Sequence, residues 1–141
     1  GFIMKLADAQ SRNKSGKALL SLPPKSRVLQ PKLVQDADNE FVVAVSNEGR
    51  MLMFPLRELP ELAKGKGNKI IGIASARSEA REGFVIDVVV INRAQQLKVI
   101  AGKRHIGLKF SDLEHYMGER GRRGNMLPRG FQKVDAIEVT E

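Results

Sequence analysis

The residues most able to do chemistry in this 141-residue chain are cations threaded through glycine. Lys64-Gly65-Lys66-Gly67-Asn68-Lys69 leads into the apolar run Ile70-Ile71-Gly72-Ile73. Arg12-Asn13-Lys14-Ser15-Gly16-Lys17 leads into Ala18-Leu19-Leu20-Ser21-Leu22, and Gly118-Glu119-Arg120-Gly121-Arg122-Arg123-Gly124 leads on to Met126-Leu127. Glycine lets a backbone turn tightly and approach a partner closely, and Lys and Arg neutralise a polyanion. The chemistry on offer is therefore phosphate binding. A nucleotide-binding P-loop is excluded. Ser15-Gly16-Lys17-Ala18 has Ser at position 11, where the motif needs glycine, and lacks the hydroxyl residue after the lysine. Gly65-Lys66-Gly67 does not open a strand-to-helix dinucleotide fingerprint.

Charge supports a polyanionic partner. Lys plus Arg number 24 against 16 acids, giving +8 and a pI near 10.0. Residues 12–17, 61–69 and 118–133 carry +3, +2 and +4; these 31 residues hold +9 and the other 110 hold −1. Positive charge gathered on a near-neutral body is the footprint of a nucleic-acid binder. The bland reading is that basic loops keep a protein soluble, and three such loops at corresponding places weaken it.

Other reactive residues offer less. There is no cysteine, hence no disulfide framework and no thiolate metal site. His105 and His115 read as surface histidines, and Tyr116, the single tyrosine, which follows His115, as a partly buried packing residue with no base-and-orienter constellation. Asp36, Asp38, Asn39 and Glu40 lack the ligand spacing of a calcium loop and read as a solvated turn. Met4, Met51, Met53 and Met126 read as core filling. Aromatic residues, at 5%, form no stacking stripe for single strands. No membrane span or signal peptide is visible, and an apolar start at Gly1-Phe2-Ile3 reads as an excised piece.

Elements that position the loops recur. Gly1–Leu6, Gly49–Phe54 and Gly102–Leu108 resemble one another, each followed by an apolar-acidic-apolar turn and then a basic loop. The repeats run approximately 1–48, 49–101 and 102–141, within one partial domain over 1–141. Strands are predicted at 2–6, 18–22, 27–35, 41–46, 50–54, 69–73, 84–91, 96–101, 104–109 and 131–139, with a helical turn or two at 74–81. Phe41–Val45 and Phe84–Ile91, the most β-branched and apolar runs, are predicted inner strands of successive blades, with Val88 buried. Repeats of about 50 residues with about four strands describe propeller-like blades. The fold class is all-β: an open or partial ring of roughly three four-stranded antiparallel blades.

Gly49-Arg50-Met51-Leu52-Met53-Phe54-Pro55, Leu59-Pro60-Glu61-Leu62, Lys64–Ile71 and Gly118–Gly124 together resemble the C-terminal domain of the A subunit of bacterial DNA topoisomerase IV. The resemblance spans essentially the whole chain and is more distant for the DNA gyrase A subunit. It implies a β-pinwheel of Greek-key blades whose basic outer rim contacts and bends duplex DNA without reading bases. For want of the motifs above, this part is expected to have no catalysis and no cofactor or metal of its own. The parent enzyme would use ATP and magnesium through its B subunit, beside a second A subunit, on the chromosome in the bacterial cytoplasm. Strings such as Gly121-Arg122-Arg123-Gly124 match the gyrase wrapping box only in part, which favours topoisomerase IV. The candidate DNA-contacting residues are Arg12, Lys14 and Lys17; Lys64, Lys66 and Lys69; Arg120, Arg122, Arg123 and Arg129; and, beside the glycines that open repeats, Arg50, Lys103 and Arg104. The competing reading is a propeller-like module whose basic surface meets an acidic protein.

Overall fold

The structure, a computed structural model, describes residues 2–4, 32–36, 38–61, 70–72, 84–131 and 133–140. Seven strands are seen there: β1 (Glu40–Ser46), β2 (Arg50–Pro55), β3 (Val85–Asn92), β4 (Gln96–Ala101), β5 (Arg104–Leu108), β6 (Asn125–Met126) and β7 (Ala136–Thr140). They form one sheet in the order β3-β1-β2-β6 and a second in the order β5-β4-β7, with every pairing antiparallel. A short helix α1 (Phe110–Leu113) and two 3-10 turns (Leu56–Glu58 and Glu114–Tyr116) are the helical pieces described.

Strand β1 is apolar from Phe41 to Val45 because both of its faces are covered there. Phe41, Val43 and Val45 point into a core shared with Met51, Met53, Val89, Ile91 and the second sheet's Leu97, Val99 and Ile137. Val42 and Ala44 point the other way, onto Leu52, Phe54, Leu56, Leu59 and Ile71. Alternation of side chains along a strand assigns each residue to one core or the other. Strand β3 behaves differently. Val89 and Ile91 are buried in the first core, whereas Val88 and Val90 lie half-buried against the second.

The hairpins turn where glycine is needed. Gly49 has φ 78° and Gly102 φ 62°, a region that costs other residues a steric penalty. Asn47 Oδ1 accepts from Phe84 N at 2.8 Å beside the first turn, and Asp135 Oδ2 accepts from Gly102 N at 2.6 Å beside the second. Asp87 joins the two sheets: its Oδ2 accepts from Ile137 N at 3.2 Å.

Several sequence expectations are corrected. β1 and β3 are hydrogen-bonded neighbours, Phe41 opposite Ile91 and Val43 opposite Val89, so they share one sheet instead of heading successive ones. Val88 is half-buried, not buried. Met126 is 42% exposed and Met4 is half-buried, so only Met51 and Met53 fill the core. Glu40 is no solvated turn residue; it is buried, and its carboxylate accepts from Gln35 N at 2.7 Å and also from Asp36 N. Residues 131–135 and 32–35 are not strand where described, and β7 runs on to Thr140. Residues 70–72 are likewise not strand. The expected strand at 18–22, the helical turn at 74–81 and the remainder of the strand at 27–35 lie outside the described residues.

Candidate nucleic-acid interface

The Gly118–Gly124 loop is built on the outer edge of β2. It leaves that edge where Gly118 N donates to Met53 O at 2.9 Å, and it returns where Leu127 N donates to Gly49 O at 2.8 Å. β6 lies between, with Met126 opposite Arg50 and Asn125 opposite Met51. Within the loop, Arg122 N donates to Glu119 O at 3.2 Å across Gly121, whose φ is 87°. A positive φ at the third position is what a type II turn requires, and glycine supplies it.

The turn is also fastened to a neighbouring segment. Gly121 N donates to Ile70 O at 2.8 Å and Gly72 N donates to Arg122 O at 2.6 Å. Ile70 follows Lys69 directly in sequence. Gly124 ends the loop with φ 77° against the Met51 carbonyl, where a β-carbon would overlap it. The result is a backbone anchored at four places that presents three arginines within four residues. Arg122 and Arg123 are exposed and Arg120 is half-buried. Arg122 Nε and Nη2 reach Glu119 Oε2 at 3.3 and 3.2 Å, a pair in which both side chains are about three-quarters exposed (74% and 77%). A water-exposed pair of this kind is weak, so a polyanion can compete with Glu119 for Arg122.

The remaining expected residues fall in other places. Lys103, Arg104 and Arg129 are exposed. Arg104 lies against the turn that carries Arg129, its Nη1 at 3.0 Å from where a β-carbon on Gly130 would stand. Arg50 is half-buried, and its Nη1 donates to Gly124 O at 3.1 Å. Arg12, Lys14, Lys17, Lys64, Lys66 and Lys69 lie outside the described residues. Arg93, also exposed, was not singled out in the sequence reading. The Arg93 guanidinium sits 5.5 Å from the ring centres of both Phe41 and Phe110, which meet edge to face at 5.1 Å. Nothing in sequence joins positions 41, 93 and 110, so only the fold could find that stack.

His105 and His115 are exposed, and among the described residues no cluster of His, Asp and Glu could hold a metal. Tyr116 is 5% exposed in the first core, and burial pushes its phenol above the ordinary tyrosine value.

No protein-family model matches the chain. It is 53% identical over 139 residues to the A subunit of DNA topoisomerase 4 from Pseudomonas aeruginosa, 45% identical over 141 to that of Haemophilus influenzae, and 42% identical over 139 to that of Escherichia coli. These alignments take in 99–100% of this chain and 18–19% of each relative, so the chain spans about a fifth of their length. Among solved structures, the E. coli ParC C-terminal domain superposes with a TM-score of 0.87 at 42% identity, covering 99% of this chain and 56% of that one. A C-terminal domain of DNA topoisomerase IV superposes at 0.76 with 16% identity over 98% of this chain and 42% of its own, a likeness of fold. The all-β sheets described above are thus part of an open β-pinwheel array.

Proposed function

We propose that this chain, which belongs with the C-terminal β-pinwheel domains of bacterial DNA topoisomerase IV A subunits, is a non-catalytic DNA-binding arm of such an enzyme. Its repeats, about 1–48, 49–101 and 102–141, each contribute a basic loop to a rim that contacts and bends duplex DNA. By holding one duplex, the arm sets the preference of the ATP-dependent parent for decatenation and supercoil relaxation. ATP and magnesium enter through the partner B subunit, and a second A subunit completes the enzyme on the bacterial chromosome.

The observation that carries this reading is the anchored arginine turn. Arg120, Arg122 and Arg123 stand on a backbone held to β2 and to Ile70 and Gly72, so little ordering remains to be done on binding. Contacts of this kind fall on phosphates, which position a protein without conveying sequence. The longest helix among the described residues, α1, has 4 residues and cannot serve as a major-groove reading helix.

The test is fluorescence anisotropy of two unrelated duplexes across a salt series. Changing Arg120, Arg122 and Arg123 together to Gln is expected to lower the slope of log affinity against log salt by roughly 2–3, at about 0.9 per phosphate contact. The weakening should be equal on both duplexes. A control changing the exposed Lys32, Arg57 and Lys109 to Gln should do less. An unchanged slope in the arginine variant would instead favour an acidic protein as the partner of this surface.

A further inference from the structure

Arg50 opens β2 next to the hairpin glycine, where a cation could simply be one more phosphate contact. Its surroundings say otherwise. The side chain is half-buried, and its Nη1 reaches across 74 residues of sequence to the Gly124 carbonyl at 3.1 Å. Gly124 is the last residue of the arginine run, and glycine at φ 77° has many backbone states open to it. A clamp on its carbonyl selects one of those states. The entry of the loop is held by Gly118 on Met53, and the chain beyond the exit by Leu127 on Gly49. Arg50 holds the point between, where the arginines end.

We infer that Arg50 is a positioning residue: through the Gly124 carbonyl it aligns Arg122 and Arg123 for the duplex, and it makes no phosphate contact itself. This rests on the DNA-binding reading above, and the two can fail separately. Met in place of Arg50 keeps most of the aliphatic stem and removes the donors. Four forms of the 141-residue chain are compared by anisotropy over a salt series: the parent, Arg50→Met, Arg122→Gln with Arg123→Gln, and all three changes together.

A positioning role predicts that Arg50→Met lowers the salt slope by about 1.8, the equivalent of two contacts at about 0.9 each. It also predicts that adding Arg50→Met to the double loop variant changes nothing further. A direct contact predicts a fall of about 0.9 in both backgrounds, and that result overturns the inference. Amide hydrogen exchange of the free chain decides without DNA. Arg50→Met should speed exchange at Gly121 and Leu127 at least about tenfold while leaving Val43 and Met53 in the sheet as they were, consistent with local opening. Unchanged exchange at Gly121 and Leu127 overturns the inference. A loop variant that binds like the parent overturns the DNA-binding reading instead, and the exchange result by itself then decides whether Arg50 positions the loop. Should Arg50→Met not fold, Arg50→Lys takes its place: it keeps the charge a phosphate would feel and loses the planar guanidinium that reaches the Gly124 carbonyl. A salt slope equal to the parent's would overturn the inference, and a fall of about 1.8 supports it.

Discussion

Gly72→Ala should destabilise this protein while the same substitution at Gly107 stabilises it. At Gly72 a β-carbon would stand 2.8 Å from Gly121 O, 3.1 Å from the Arg122 carbonyl carbon and 3.2 Å from Arg123 N. All three are backbone atoms, so no side chain can swing away, and the Gly118–Gly124 loop must move. Two hydrogen bonds depend on that contact, Gly121 N to Ile70 O at 2.8 Å and Gly72 N to Arg122 O at 2.6 Å. At about 0.5–1.5 kcal/mol net each, their loss costs roughly 1–3 kcal/mol. The lower entropy of alanine in the unfolded chain returns about 0.4–1 kcal/mol, leaving a net loss of about 1.3 kcal/mol at mid-range. Gly107 lies exposed in β5 with nothing within 4 Å of its would-be β-carbon, and its φ is outside the left-handed region. Alanine there should add about 0.5–1 kcal/mol, because glycine in a strand carries an entropic penalty. The two variants should differ by about 2 kcal/mol, or roughly 6–10 °C in Tm for a domain of this size. Circular dichroism melts measure the difference, and hydrogen exchange at Gly72 and Gly121 locates it. The steric argument collapses if Gly72→Ala melts at or above the parent, or if Gly107→Ala falls below Gly72→Ala.

Two further tests follow from the core. Since burial raises the Tyr116 phenol, the unfolded chain ionises first as pH climbs past about 10, and stability should fall from there upward; Tyr116→Phe should flatten that fall. With one tyrosine and no tryptophan, absorbance near 295 nm reads this phenol alone, and a native titration at or below the ordinary value would contradict its burial. In β3, Ile91→Asp should abolish cooperative folding, because Ile91 is 0% exposed and a buried unpaired carboxylate costs several kcal/mol. Val88→Asp, on the half-buried face, should cost visibly less in a urea titration, and equal losses would refute the face assignment.

What local pattern controls was legible in the amino-acid order. The runs that became β1 and β3 were readable from apolar, β-branched stretches, because strand formation there follows side-chain burial on a pleat, and those that became β2 and β5 from the repeated glycine-opened pattern. Gly49 and Gly102 were legible as the glycines that open repeats, and they serve the turns there because glycine tolerates their φ. The arginine turn was readable as a cationic glycine loop, and Tyr116 as a packing residue. Periodicity says which way a side chain faces and nothing about which strand lies alongside. It therefore took the folded chain to show that β3 pairs with β1, that Val88 is half-exposed, and that Met126 sits outside the core. The same holds for the burial of Glu40, whose carboxylate serves two backbone amides, and for the stacking of Arg93 on two phenylalanines far away in the chain. The loop's role rests on the same kind of information. The Arg50 clamp and the ties from Gly121 and Arg122 to Ile70 and Gly72 join residues about 50 or more positions apart. Such hydrogen bonds depend on where the folded chain brings backbone groups together, and residue type at either end does not announce them.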